Sequence, residues 1–520
     1  MKMVVLAAAI GGAAIAGYAA AGAGTTVALV AAVVVLVVIT LMCTGGDNDL
    51  GPDSPPSPPT NFLLGHLGFM TGSNTPWVDL DRMGKDYGDV MSLKLGRWCI
   101  MLNTFEAIKD AAVNYLKEMA GRPNNYSIEL MSSGHKDVTL SSYSQDWVLL
   151  RKMAVQNLRD FSGNNKLEEM AHYVLGNLQR ELDKQDGQTV NAARDIMLPA
   201  VAGILTHSYF GKDADPSVHT SLMDLMGGDL SKYIVGPPRK VDMFPCLQYI
   251  NAGGSKFVAD LVTNVHGIMQ SELKRHQETF DPDNIRDMTD GLISLWKKAI
   301  QSEPEKYAFI TDVHLYEILV NYITGPTAGQ LVSAYHTAAL LVSNPEQQEK
   351  ISALVTKVTG KDRPPSMADL DTMPYMRAAV EELLRFVCVA PISVPHATTE
   401  DVTFRGYKLP ARTTVFANLY GVHFGDHWKD PFAFQPERFL DEEGNFNPSE
   451  YTFPFGWGLR KCMGEVEARQ ISYLILAWLA QRYKLSRVPG EEDKNLFEQD
   501  PNVKAARVMA PFNVVLKKRF

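Results

Sequence analysis

From Met3 to Cys43 the chain carries no acidic, basic or histidine side chain and consists almost wholly of Ala, Gly, Val, Leu and Ile. One helical membrane span needs about 20 apolar residues, and this run is roughly twice as long. It reads either as one long anchor with a weakly apolar lead or as a hairpin of two spans turning near Gly22 to Thr26. Residues 1–45 are accordingly assigned to a membrane anchor. Lys2 is the only Lys or Arg before Arg82, and Asp47, Asp49 and Asp53 follow the run. The positive-inside rule then places the N-terminus in the cytosol, so a single span leaves the body lumenal and a hairpin returns it to the cytosol. The prolines between Gly51 and Pro59 lack backbone donors and favour stiff extended chain, so residues 46–60 read as a spacer.

The rest of the 520-residue chain has the composition of a packed fold, since 46% apolar and 21% charged residues overall fit neither a disordered polymer nor a many-pass transporter. A net charge of -9 argues against a nucleic-acid partner. The five cysteines, at 43, 99, 246, 388 and 462, show no CxxC or short Cys/His spacing, which speaks against a disulfide framework or a zinc site and for a reducing compartment. Alternation over Met91–Leu95, a break at Gly96-Arg97 and the run Trp98–Leu102 predict a β-hairpin. A helix is expected from Thr311 to Ser343, stopped by Asn344-Pro345, and another from Pro374 that Pro391 ends. A short strand is expected at Thr413–Ala417 and a last amphipathic helix over about 465–483. Residues 61–520 thus read as one mainly α domain with a minor β portion.

The segment Phe455-Gly456-Trp457-Gly458-Leu459-Arg460-Lys461-Cys462-Met463-Gly464 delivers one cysteine just before that last helix. Gly458 and Gly464 permit close backbone approach and unusual dihedrals. Arg460 and the helix N-terminus favour a thiolate, which is an axial ligand for haem iron. At these residues the chain resembles the cytochrome P450 family, whose ligand loop reads Phe-x-x-Gly-x-Arg-x-Cys-x-Gly, with every fixed position met. Glu382-Leu383-Leu384-Arg385 and Pro436-Glu437-Arg438-Phe439 resemble that family's Glu-Arg-Arg scaffold cluster. Trp147-Val148-Leu149-Leu150-Arg151 is similar to its Trp-x-x-x-Arg helix.

That resemblance covers residues 60 to 520 and implies a cytochrome P450 fold behind the anchor. It implies haem b bound through Cys462 as axial ligand, within a loop framed by Phe455, Gly458 and Gly464. Arg460, Trp147, Arg151, His396 and Arg122 are its expected propionate contacts, and Glu382, Arg385 and Arg438 its scaffold. It implies insertion of one oxygen atom from O2 with NADPH-derived electrons through a partner reductase, with cytochrome b5 as a further partner. Endoplasmic-reticulum placement with a cytosolic body follows from the same source. The segments Val394–Thr398 and Gly464–Arg469 resemble the branch holding steroid 17α-hydroxylase and the aromatic-hydrocarbon hydroxylases, which implies a small lipophilic, steroid-like or polycyclic substrate.

One stretch departs from the family. Where its long helix carries Ala/Gly-Gly-x-Asp/Glu-Thr, this chain has Gly325-Pro326-Thr327-Ala328-Gly329. The acid has become Ala328 and the alcohol Gly329, neither of which relays a proton, and Pro326 should kink the helix. Thr327 and Thr324 are the remaining catalytic candidates, through a held water. Family members lacking the pair rearrange substrates that already contain an O–O bond, which makes a lipid hydroperoxide or endoperoxide isomerase or dehydratase the alternative. A non-catalytic haem-thiolate binding protein is the third reading.

Overall fold

The computed structural model describes residues 50–520 apart from 61–64, 67, 69–71, 236–238 and 244. The anchor expected at 1–45 lies outside the described residues, and among those described no helix is long and apolar enough to cross a membrane.

The predicted hairpin is β1 (Val90–Leu95) and β2 (Arg97–Leu102), turned by Gly96 at φ +79° and paired so that Leu93 faces Cys99. β7 (Thr414–Ala417) adds parallel to β2, and β4 (His396–Ala397) pairs antiparallel with β7, placing His396 opposite Val415. β1 is therefore an edge strand with backbone groups to satisfy. The proline segment meets that need. Pro56 O accepts the Ser92 N–H at 2.8 Å and Pro55 O accepts the Ser92 hydroxyl at 2.9 Å. The expected spacer is thus, over 55–58, docked on the sheet edge, because prolines that cannot donate can still accept. A second small sheet joins β3 (Thr189–Asn191), β9 (Asn513–Lys518) and β8 (Tyr483–Ser486), and β5 (Val402–Phe404) pairs with β6 (Tyr407–Leu409).

Helices make up most of the remainder. Those that build the site are α1 (Tyr126–Met131), α2 (Gln145–Gly163), α3 (Lys166–Leu182), α4 (Leu198–Phe210), α5 (Ser255–Glu278), α6 (Asp312–Ser343), α7 (Pro345–Thr359), α8 (Pro374–Val387) and α9 (Glu465–Arg482). α6 begins at a capping box of Thr311 and His314, and Pro345 follows its C-cap Asn344. Its 32 residues run about 48 Å, and buried side chains surround it, as in a helix that crosses a core. It stays helical through Pro326, which removes the donor Tyr322 O would otherwise receive. α8 ends at Val387, earlier than Pro391 suggested, because Cys388 turns left-handed at φ 41°.

α9 departs from expectation. Every residue from Ile471 to Gln481 is buried, so the helix is enclosed rather than amphipathic. It packs against α2, α3, α6, α7 and α8, and from Ile471 to Gln481 no face is left for water.

Candidate haem-thiolate site

The cysteine loop turns back on itself before α9. Cys462 N–H donates to Phe455 O at 2.8 Å, Lys461 N–H to Gly458 O at 3.2 Å and Gly456 N–H to Phe453 O at 3.2 Å. Gly456 and Gly458 take φ of +75° and +60°, values that L side chains resist. Gly464 does not share this role: its φ is an ordinary -94°. Cys462 is exposed on one side, yet the loop and helix crowding its other side push the thiol up. Opposing that, the Gly464 N–H and Arg151 favour the thiolate. The guanidinium acting on the sulfur is therefore Arg151 and not, as the sequence suggested, Arg460. Among the described residues, the one group of three His, Cys, Asp or Glu side chains close enough to share a metal is His276, Asp287 and Asp290, so Cys462 belongs to no such group.

Three arginines gather beside the loop. Arg460, 7% exposed, donates to Ala120 O and Ser141 O, each at 2.6 Å, and lies 3.9 Å from the Trp147 ring centroid. Arg122 donates to Thr139 O at 2.8 Å and Pro395 O at 2.6 Å. Arg151 donates to Lys461 O and sits 5.5 Å from the same indole. Their hydrogen bonds go to backbone carbonyls, and no ion pair joins any of them to a carboxylate among the described residues. Burial, then Arg122 and Arg151, push Arg460 down to about 8. Burial likewise lowers Arg122, the Asp137 carboxylate opposing it and Arg151 adding to it.

Buried cations without a paired anion are costly, and the one buried carboxylate that acts on Arg122 and Arg460, that of Asp137, is paired with neither. The arrangement fits a ligand that brings carboxylates to the arginines and a metal to the sulfur. Haem b would meet both demands, its iron held by Cys462 and its carboxylates by Arg460, Arg122 and Arg151. Two expected contacts are differently engaged. Trp147 Nε1 donates to Val138 O at 2.8 Å, so the indole serves as a platform for Arg460 and Arg151. His396 pairs with Met119 O through Nδ1 at 2.9 Å and stacks on Trp457 at 4.0 Å, with burial holding it neutral. Phe455 lies near the Arg469 guanidinium, 5.1 Å away.

The scaffold residues form a closed buried network. Arg385 donates to Glu382 at 2.6 and 2.9 Å, and Arg438 Nε reaches Glu382 Oε1 at 3.1 Å. Arg385 also donates to His423 O at 2.6 Å, and the His423 Nε2 accepts the Phe453 N–H at 2.9 Å. Burial pushes His423 down to about 3, which keeps that nitrogen an acceptor. His423 thus ties the network to the cysteine loop. No spacing in the sequence marked it.

On α6, Gly325 and Gly329 face open space, since a Cβ at either meets nothing within 4 Å. Thr327 is buried and donates to Ile323 O at 2.7 Å, while Thr324 makes a 3.4 Å bond to Asn321 O. Both candidate hydroxyls are turned toward their own helix.

Sequence reasoning also missed Glu467. It is 8% exposed, makes no hydrogen bond or ion pair among the described residues, and lines a cleft of about 270 Å³ with Cys462, Arg151 and Arg159. Burial pushes it up to about 8. A carboxyl raised on folding keeps its proton in the folded chain where the unfolded chain has lost it. Its stabilising share is complete below the ordinary carboxylate range and is lost as pH rises through 8. Thermal melts should therefore fall from pH 5 to pH 8 by up to about 1.4 kcal/mol per pH unit from this group. Glu467→Gln should flatten the profile, and an unchanged slope would refute the assignment.

Comparison with known proteins agrees with this geometry. The family model described as "Cytochrome P450" matches residues 55–513. Cytochrome P450 1A1 of Macaca mulatta is 30% identical over 457 residues, covering 85% of this chain and 88% of that protein. The steroid 17-alpha-hydroxylase/17,20 lyase of Felis catus is 28% identical over 480 residues, covering 90% and 93%. A zebra fish cytochrome P450 structure with progesterone superposes with a TM-score of 0.73 at 22% identity, covering 85% of this chain and 99% of that one.

Proposed function

The chain belongs to the cytochrome P450 family and is a haem-dependent monooxygenase, and from that premise we propose that it inserts one oxygen atom from O2 into a lipophilic, steroid-like or polycyclic substrate. Electrons reach it from NADPH through a flavoprotein reductase, with cytochrome b5 as a further partner. The observation that carries the reading is the single open cysteine beside three arginines that form no ion pair among the described residues, with Asp137 the one buried carboxylate acting on them from a distance. The substrate class is supported by a relative named for steroid hydroxylation and by a fold neighbour solved with progesterone. The uncharged run at 3–43 supports membrane anchorage, the family's microsomal relatives support the endoplasmic reticulum, and a cytosolic body requires that run to fold as a hairpin of two spans.

When bound, the haem supplies reductive O2 activation and oxygen insertion. Cys462 would hold its iron, and Arg460, Arg122 and Arg151 would orient its carboxylates. On α6, positions 328 and 329 are Ala and Gly and bring neither acid nor alcohol, and the Thr324 and Thr327 hydroxyls bond their own helix. Water entering the space beside Gly325 and Gly329 must then carry the proton. Such a site should couple electrons to product poorly. The variant Ala328→Glu/Gly329→Thr, for which Gly329 leaves room, should raise product formed per NADPH consumed by about tenfold.

That same bare helix face favours a second reading, isomerisation or dehydration of a lipid hydroperoxide or endoperoxide, which needs neither O2 nor a reductase. Anaerobic turnover of lipid hydroperoxides without NADPH decides between them. Rapid rearrangement would establish the second reading, and NADPH-dependent product from a steroid or polycyclic hydrocarbon the first.

A further inference from the structure

Glu317 lies on α6 with no exposure, and its two carboxyl oxygens are unequally treated. Oε1 accepts the Ser133 hydroxyl and lies 3.4 Å from His266 Nε2. Oε2 is buried without a partner. Burying a polar atom unpaired is costly, so such an atom calls for an explanation.

The partner of Oε1 is itself strained. Ser133, Gly134 and His135, just after α1, take φ of 47°, 72° and 66° in succession, two of them on residues with a Cβ. Ser133 is held there by Glu317 and by the Tyr316 hydroxyl 3.1 Å away. One turn on, Asn321 Oδ1 accepts from Val138 N and Thr139 N at 3.0 and 2.9 Å. The loop after α1 is thus pinned to α6 at two points.

Glu317 also lies in line with the site. At 100° per residue, positions 317, 324 and 328 fall within an arc of about 40° on α6, and 317 and 328 are about 16 Å apart along the axis. A molecule about 16 Å long lying along that face, where the loop pinned to it gives way, would have one end beside Ala328 and the other at Glu317.

We propose that Glu317 is a specificity-determining residue that binds a hydroxyl group at the far end of a rigid lipophilic substrate about 15 Å long. The hydroxyl satisfies the unpaired oxygen and competes with Ser133 for the carboxyl, which lets the strained loop relax around the bound molecule. A hydroxyl suits either charge state of Glu317, because it both donates and accepts. The charged and titratable groups nearby do not supply this partner. His266 is kept neutral by burial and bonds Met131 O at 3.3 Å. Asp137 is engaged by Ser141 and by the backbone of Thr139 and Leu140, and Lys136 is exposed.

The inference rests on the lipophilic substrate class proposed above. Its test is binding of a 3-hydroxysteroid and its 3-deoxy counterpart to haem-loaded protein, read by equilibrium dialysis and by the ligand-induced Soret shift. The wild type should bind the hydroxysteroid about tenfold more tightly. Glu317→Leu should erase the preference while still binding the deoxy compound, and Glu317→Gln should retain most of it. Ser133→Ala should keep or increase it, since the internal competitor is gone. Equal binding of the two steroids by the wild type, or an undiminished preference in Glu317→Leu, overturns the anchor alone. Failure of both steroids to bind the wild type overturns the substrate class and the anchor with it.

Discussion

Cys462→Ala is expected to abolish the thiolate-type spectrum of the reduced carbon-monoxide complex, and with it all haem-dependent activity. No other described cysteine stands in for it. Cys99 and Cys388 are buried, and burial pushes both thiols up to about 12, so neither offers a thiolate near neutral pH. The substitution removes a side chain with an open face and leaves the loop bonds of Phe455, Gly458 and Phe453 to the backbone. The unloaded chain should therefore fold as before, within about 0.5 kcal/mol. Purified variant protein should show native far-ultraviolet dichroism with haem absent or in a different ligand state. A retained thiolate band would mean that the iron is held elsewhere.

Glu382→Ala is expected to be the most damaging change to folding. Arg385 is wholly buried, and the Arg438 side chain is 9% exposed. Without Glu382 both guanidiniums stay in the interior with no carboxylate in reach, an imbalance that costs about 3–5 kcal/mol. The loss should propagate, because Arg385 also holds the His423 carbonyl whose ring receives the Phe453 N–H. Denaturant melts should shift by that amount, and haem content should fall with them. Glu382→Gln keeps the hydrogen-bonding shape without the charge and should lose less. His423→Ala leaves the ion cluster intact and should lower haem retention more than stability. Equal stability for Glu382→Ala and the wild type would refute the network's role.

What could be read from residue order was whatever the chain builds from neighbours. The loop from Phe455 to Gly464 is contiguous, so its cysteine, its arginine and its left-handed glycines could be read together, although the second such glycine proved to be Gly456 rather than Gly464. The hairpin at Val90–Leu102 and the helix stopped at Asn344-Pro345 were legible for the same reason, because alternation, glycine and proline act over a few residues. The replacement of the acid and alcohol by Ala328 and Gly329 was visible in the same way.

Partners across the chain were not. Trp147 reads as a donor to a ligand until the fold brings Val138 O to it. Thr327 reads as a free hydroxyl until helix geometry turns it to Ile323 O. The segment at 55–58 reads as a spacer until the unpaired edge of β1 captures it. α9 reads as amphipathic because its ends are polar, and only packing on five helices encloses its middle. His423, Glu467 and Glu317 are single residues with no spacing signal, and each acquires meaning from burial and from side chains distant in sequence. The amino-acid sequence by itself determined the loop, the single cysteine it presents and the helices that carry it, since those depend on local dihedral and periodic constraints. Tertiary structure decided which polar groups are paired, which are left buried without partners and which face open space, because hydrogen bonding and desolvation depend on what the fold places within 3 or 4 Å.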